Sequence, residues 1–405
     1  MFARAGALPW SASLHSDAAE DARLPGDRSA GEPSPAPLRT VQIRPAEPRR
    51  RLVRGFAGHP LDATSPAPLR SHRGRGRRAR PRLRPVNVLL VGLGRWGENH
   101  LRVLAELGAT VWVADASSDR LAWALRQGID RRRAVTDYRE ALTHVDAVDV
   151  VTPAGSHRAI AGECLAAGRH CFVEKPLAAT AAEARELEAA GRAARRLVQV
   201  GHIFRFHPVT AVLREALAAG RIGRVRYATG RFAGFKRPRP DGGVTQADAI
   251  HYFDLFAYLF DRDATRVDAI QRDYLGRGLD DLSWTVVHYG DIPASVEANY
   301  FVPGTWRECV IVGERGALVA DFNDEAVTVH LGEHRRRGGA WEAVETGKEG
   351  LPVRAEEPLR LELRAFLDAC AGRAPNPVPA SVGVRALDVV EAAERSARLA
   401  RTVIL

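Results

Sequence analysis

The sequence predicts an α/β protein: a doubly wound parallel sheet, then a second α+β domain on an open, mostly antiparallel sheet with helices on one face. Three observations lead there. From Val86 to about Val200, short apolar runs alternate with helical stretches over short links, the pattern of parallel strands joined by crossover helices. The first junction reads strand, glycine turn, helix: Val86–Val91, then Gly92-Leu93-Gly94-Arg95-Trp96-Gly97, then Leu101, Leu104 and Leu107 at helical spacing. After about His202, strands follow one another in series, and the helices stand apart.

Taken in order, a helix follows the glycine turn, and the strand Val111–Ala114 ends in Asp115. A helix over about Ser118–Arg126 stops at Gly128, and DAVDVVT forms a strand up to Thr152-Pro153. A helix over about His157–Ala167 precedes the strand His170–Val173, which runs into Glu174-Lys175-Pro176. Thr180 with Glu183 reads as the capping box of a helix over Ala181–Arg195. The strand Leu197–Val200 ends the first sheet. The second domain begins with a helix at Pro208–Ala219, a strand near Val225–Phe232 and a helix over Asp248–Phe260. Strands are expected at Thr265–Gln271, Ser283–Tyr289, Ala294–Phe301, Glu308–Val312, Ala317–Phe322 and Val327–Leu331. Gly290-Asp291 and Gly313–Gly316 read as hairpin turns, and helices at Glu357–Ala371 and Val382–Ala400 close the chain. The expected boundaries are a disordered Arg/Pro-rich extension over 1–84, a cofactor domain over 85–205 and a substrate and oligomerisation domain over 206–405.

The net charge of +10 belongs to the extension. Residues 1–84 hold seventeen arginines, no lysine and seven acids, so the rest of the 405-residue chain is neutral overall. The folded part therefore has no global attraction for nucleic acid. Residues 1–84 also hold 11 of the 24 prolines and show no apolar periodicity, so they cannot offset their ordering entropy with a core. The scattered Cys164, Cys171, Cys309 and Cys370 contain no C-x-x-C, so neither a zinc site nor a disulfide framework is expected. No apolar run approaches the roughly 20 residues of a membrane helix. No basic segment followed by an apolar core stands near Met1, and a cytoplasmic location is expected.

The chemistry starts at the glycine turn. Gly92 permits the tight turn, Gly94 lets backbone approach a pyrophosphate, and Gly97 lets helix and strand pack closely. The helix N-terminus, with Arg95 and Trp96 in the turn, offers free N–H groups to the anion. Asp115, ending the next strand, is placed to hold both ribose hydroxyls, which favours NAD over NADP. Ser117, Ser118 and Arg120 nearby could instead receive a 2′-phosphate. Gly92, Asp115, Thr152 and Lys175 all end strands, so they converge on one crevice.

With GLGRWG, VVTPAGSH, the EKP after a strand, GHIFRFHP and GGVTQADAIHYFD in this order, the chain resembles the Gfo/Idh/MocA family, named for glucose–fructose oxidoreductase and inositol dehydrogenase. The resemblance spans about Val86 to the C-terminus. It implies an oxidoreductase moving a hydride between NAD(P) and a carbinol or keto carbon of a sugar, sugar acid, nucleotide sugar or polyol. It implies that Lys175 hydrogen-bonds the reacting hydroxyl and that His251 is the catalytic histidine, whose near-neutral pKa suits proton transfer. Family members with an acid in this helix place it four residues before the histidine. Here that position is Ala247, and Asp248 stands three before, near the same helix face. Thr152, Pro153 and His157 match the cofactor-flanking loop, and Glu174 is expected near the nicotinamide ribose. Arg205 and His207 are expected on the substrate side, and Asp254 shares a face with His251 and could orient it. Lys236, Arg237 and Arg239 precede the His251 helix in a Pro/Gly-interrupted loop, which points to an anionic substrate. No metal is expected, and a homo-oligomer through the C-terminal sheet is. Three rivals stand beside this reading: an enzyme whose redox step is part of a hydrolysis or elimination, a non-catalytic NAD(P)-binding regulator of the same fold, and a nucleic-acid binder acting through residues 1–84.

Overall fold

Val88, Leu89, Leu90 and Val91 are all buried because their strand, β1 (Asn87–Val91), lies inside a parallel sheet covered on both faces. The computed structural model describes residues 86–405; the Arg/Pro-rich extension lies outside the described residues. After β1 come α1 (Arg95–Glu106), β2 (Thr110–Ala114), α2 (Ser118–Arg126), β3 (Ala134–Val135), β4 (Ala147–Val150), α3 (Ala154–Ala166), β5 (His170–Glu174), α4 (Ala181–Ala194) and β6 (Val198–Gly201). The strands lie in the order β3-β2-β1-β4-β5-β6, all parallel. Strand order reverses between β1 and β4, the place where such sheets bind ligands. Helix α3 begins at Ala154, three residues before its expected start, because Pro153 serves as its N-cap. The capping box of α4 forms with one change. Thr180 Oγ1 accepts from Glu183 N at 3.2 Å, but Glu183 reaches back to Ala179 N at 3.1 Å.

The second part holds α5 (Pro208–Ala218), β7 (Val225–Gly234), α6 (Ile250–Phe260), β8 (Arg266–Arg272), β9 (Leu282–Tyr289), β10 (Ile292–Asn299), β11 (Thr305–Gly313), β12 (Gly316–Asp321), β13 (Ala326–Arg337) and β14 (Ala340–Leu351). Helices α7 (Pro358–Cys370) and α8 (Ala380–Leu399) and the short β15 (Val403–Ile404) end the chain. The sheet order is β14-β13-β12-β11-β7-β10-β9-β8-β15, antiparallel except that β10 runs parallel to β7. Alternation sets its faces. In β9, Thr285, Val287 and Tyr289 point into the core, and Trp284, on the opposite face, is exposed. Gly290, at φ +65°, makes the two-residue turn between Tyr289 and Ile292.

The last helices cross back. Leu359, Leu363 and Phe366 of α7 share a core with Val88, Leu90 and Leu104, and the Phe366 and Phe172 rings meet edge to face at 5.6 Å. Helix α8 bridges the two sheets. Its Glu391 accepts from Ala181 N at 2.7 Å, and its Ser396 Oγ accepts from Ala269 N at 3.0 Å.

Candidate active site

The glycine turn is built by close approach. Gly92 has φ +97°, and a Cβ there would lie 2.6 Å from Val151 O. A Cβ on Gly97 would lie 2.1 Å from Gly92 O, so no side chain fits between α1 and β1. A Cβ on Gly94 would meet nothing within 4 Å, so the backbone there is open to a ligand, with Arg95 exposed beside it at the start of α1. A cavity of about 530 Å³ continues from the turn, lined by Gly92, Gly94, Asp115, Thr152 and Pro153. Tyr138 and Arg139 also line it; they follow the two-residue β3, which no apolar run announced. These residues fit a dinucleotide: an open backbone at an N-terminus and an acid at the end of β2. Asp115 accepts from Leu93 N at 2.7 Å and from Ser117 N at 2.9 Å, so it also fixes the turn. Arg120 is committed to Leu93 O and Glu98, each at 2.5 Å, and Ser117 Oγ caps α2.

His157 is buried, with ring nitrogens 2.8 Å from Thr152 O and from Pro176 O. It ties the loop after β4 to the loop after β5 instead of lining the cavity. Glu174 is also held from within. Its Oε1 accepts from Trp96 Nε1 at 2.8 Å and lies 3.2 Å from His100 Nε2, and its Oε2 accepts from Lys175 N at 3.0 Å. His100 Nδ1 lies 2.8 Å from the buried Asp149. Burial opposes a charge on His100, but Asp149 and Glu174 overcome it and push its pKa up to about 10. In turn, burial would raise the Glu174 carboxyl, and the bonds from His100 and Trp96 outweigh it and hold it low. The expected Glu174 and Trp96 thus adjoin a buried chain of charge whose other members, His100 and Asp149, were not singled out from sequence.

Lys175 extends from the end of β5 across to the second sheet's helix layer, where its Nζ donates to Ala247 O at 2.5 Å. That carbonyl belongs to a wide π-type turn, Thr245–Ala249, which leads into α6; such turns are frequent at functional sites. Asp280 starts the turn by accepting from Thr245 N at 2.9 Å and from Thr245 Oγ1 at 2.6 Å. The turn buries Asp248 with its carboxylate 2.8 Å from Lys236 Nζ. Three segments, the ends of β5 and β7 and the π-type turn, therefore bring Lys175, Lys236 and Asp248 together. Burial lowers the Lys175 pKa to about 8, with Asp248 opposing and Arg239 and Lys236 assisting.

His251 lies on α6 with its ring against Phe204 at 4.9 Å and Phe232 at 5.2 Å, and those two rings also meet each other at 6.0 Å. Its expected near-neutral pKa is corrected here. Burial drives it well below the ordinary value, and Lys175, His202, Arg307 and Lys236 add cationic repulsion. Nor does Asp254 orient it. Asp254 takes the fork of Arg205, at 2.6 to 3.1 Å, and lies 3.7 Å from His202, while His251 Nδ1 has no partner among the described residues. Arg205 is thereby committed to Asp254 and to the Tyr258 ring, 4.6 Å away. His207 caps α5 by accepting from Val209 N. Arg237 is exposed on the loop, and Arg239 pairs with Asp241 at 3.2 Å.

Comparison with known proteins agrees with this geometry. Residues 86–202 match the sequence model described as oxidoreductase family, NAD-binding Rossmann fold, and residues 210–319 match the GFO/IDH/MocA C-terminal domain. Inositol 2-dehydrogenase 1 of Saccharopolyspora erythraea is 32% identical over 345 residues, covering 77% of this chain and 94% of the relative. The chain belongs to the Gfo/Idh/MocA family. Among solved structures, UDP-N-acetylglucosamine 3-dehydrogenase from Acidithiobacillus ferrooxidans superposes with a TM-score of 0.69 at 23% identity, covering 78% of this chain and 99% of that one. Levoglucosan dehydrogenase, solved with NADH and levoglucosan, gives 0.68 at 22% identity, covering 79% of this chain and 99% of that one. These two likenesses show the fold. Like the rest of the Gfo/Idh/MocA family, the chain is a nicotinamide-dependent oxidoreductase; its NAD-binding Rossmann domain carries the glycine turn and Asp115.

Proposed function

We propose that this Gfo/Idh/MocA protein dehydrogenates a secondary alcohol of a sugar, sugar acid, nucleotide sugar or polyol, with NAD accepting the hydride. The observation that carries the reading is the Lys175 amino group: half-buried, at the end of β5, and held one turn before His251. The bound nicotinamide supplies the hydride chemistry, and the chain supplies position and charge. Lys175 and His251 hold the reacting hydroxyl between them. Because His251 is a weak base where it is buried among aromatic rings and cations, neutral Lys175 is the better proton acceptor, and His251 orients the hydroxyl. Asp248 supports the neighbouring charge from the position three before His251, standing in for an acid at Ala247. Lys175→Met and His251→Ala should each lower turnover by about a hundredfold while NADH still binds. Near-normal turnover in either variant would remove that residue's role.

We further infer a cytoplasmic enzyme that self-associates through the open face of the second sheet. Among the described residues no helix is long and apolar enough to cross a membrane. Tyr227, Ile270, Trp284 and Val319 stand exposed on that face, an apolar surface suited to a second copy. A monomer by light scattering would contradict the self-association.

A further inference from the structure

The substrate end of the crevice holds polar groups that the dehydrogenation reading leaves unused. Arg277 lies in the loop between β8 and β9, and its backbone is pinned. Asp273 accepts from Arg277 N at 2.9 Å and Gly278 N at 2.7 Å, and Asp281 accepts from Tyr274 N at 3.0 Å and Leu275 N at 2.7 Å. One guanidinium nitrogen, Nη1, donates to Arg239 O at 2.8 Å in the connection that leads to Asp248 and His251. The other two, Nε and Nη2, are shielded from solvent and have no acceptor among the described residues. Those two nitrogens form one edge of the guanidinium, with parallel N–H bonds that match the two oxygens of a carboxylate. The Tyr300 ring lies 6.0 Å from the guanidinium carbon and 5.4 Å from Lys236 Nζ, and its hydroxyl also lacks a partner. Burial pushes that phenol up, so it stays a donor. Buried polar groups left unpaired are uncommon and costly, so a run of them beside Lys236, the partner of Asp248, needs an explanation.

Charge points the same way. Asp248 answers Lys236 and Asp241 answers Arg239, but neither Arg277 nor Arg307 has a carboxylate in ion-pair range among the described residues. We propose that Arg277, with Tyr300 and Lys236 beside it, is a subsite for a carboxylate on the substrate, and that the compound dehydrogenated is a sugar acid. This rests on the alcohol dehydrogenation proposed at Lys175. A phosphate fits less well. The backbone amides that would cradle it are already taken by Asp273 and Asp281, whose own charges repel a dianion. The fork is closed off from solvent, so a carboxylate reaching it displaces the connection 235–243, which it holds at Arg239.

The test is calorimetric titration of the NADH-loaded protein with D-glucuronate, D-gluconate, myo-inositol and UDP-N-acetylglucosamine. At least one sugar acid should bind more tightly than myo-inositol. Arg277→Gln should weaken that acid about tenfold or more, the scale of a charge-assisted bond. Arg277→Lys, which keeps the charge and loses the planar edge, should weaken it also, and Tyr300→Phe to a smaller degree. NADH affinity and melting temperature, measured for each variant, separate this loss from misfolding. The proposal is overturned if neither acid binds, if the inositol binds as tightly, if both classes weaken alike in Arg277→Gln, or if only the nucleotide sugar depends on Arg277. Arg277-dependent binding of an acid without NADH formation from any compound leaves the subsite intact and refutes the dehydrogenase reading of Lys175.

Discussion

If Lys175 takes the hydroxyl proton, its depressed pKa should be visible in the rate. A group titrating at about 8 is neutral in about one molecule in eleven at pH 7 and in about ten of eleven at pH 9. The value of kcat/KM for alcohol oxidation should therefore rise roughly tenfold across that interval and then level off. An ordinary exposed lysine, near 10.5, would give no plateau there. The surroundings predict how the limb moves. Asp248 raises the Lys175 pKa, so Asp248→Asn should shift the limb to lower pH; Lys236 lowers it, so Lys236→Met should shift the limb upward. The assay is the initial rate of NADH appearance over a pH series at limiting alcohol, for the native protein and these variants. In Lys175→Met the residual rate should be nearly flat over the same range. A limb that survives in Lys175→Met, or that vanishes in a His251 variant instead, would refute the assignment of the proton to Lys175.

Two further outcomes follow from buried or committed carboxylates. Asp115→Ser should raise the use of NADP relative to NAD, because the acid that repels a 2′-phosphate is gone, and it should weaken both cofactors, because Leu93 N and Ser117 N lose their acceptor; an unchanged preference ratio would show that Asp115 does not face the ribose. Glu362 on α7 is fully buried, both of its oxygens lack partners, and burial beside Glu174 pushes its pKa well above the ordinary value. A carboxyl whose folded pKa is raised contributes its full stability below its unfolded value and loses it as pH climbs toward the folded one. Glu362→Gln should therefore raise the melting temperature at alkaline pH, by the equivalent of about 1–3 kcal/mol, and the gain should vanish near about pH 4; a destabilised variant at pH 9 would show that Glu362 has an unseen partner.

The parallel sheet was readable because its central strands are continuous apolar runs and its helices carry one apolar stripe. The strand β14 was not. Its residues, AWEAVETGKEGL, are almost all exposed, and an edge strand paired on one side with both faces wet leaves no alternation to read. At the site, glycine spacing and EKP announced Gly92, Gly97 and Lys175, because backbone geometry dictates those residue types. Asp248 became intelligible only through the π-type turn, which changes the helical register that spacing arguments assume. The depressed pKa of His251 comes from burial and from the cations Lys175, His202, Arg307 and Lys236, which other segments of the chain bring to it. Arg277 gave no signal at all, because a loop arginine among many is distinguished only by which of its nitrogens find acceptors.

The return of α7 to the first sheet bears on how the chain can be made. Leu359, Leu363 and Phe366 cover the same apolar surface as Val88, Leu90 and Leu104, and the open side of β6 receives Val378 O on Val200 N at 3.0 Å. On a ribosome, the residues of the cofactor layer emerge first, yet that layer stays unsealed until more than 150 further residues have followed. During that interval a sticky face and a free strand edge are open to whatever else the cell contains, the situation in which nascent chains draw on chaperones. The same wiring means that the nucleotide-binding half cannot be lifted out as a portable module: a cut after β6 would leave behind the helix that waterproofs it.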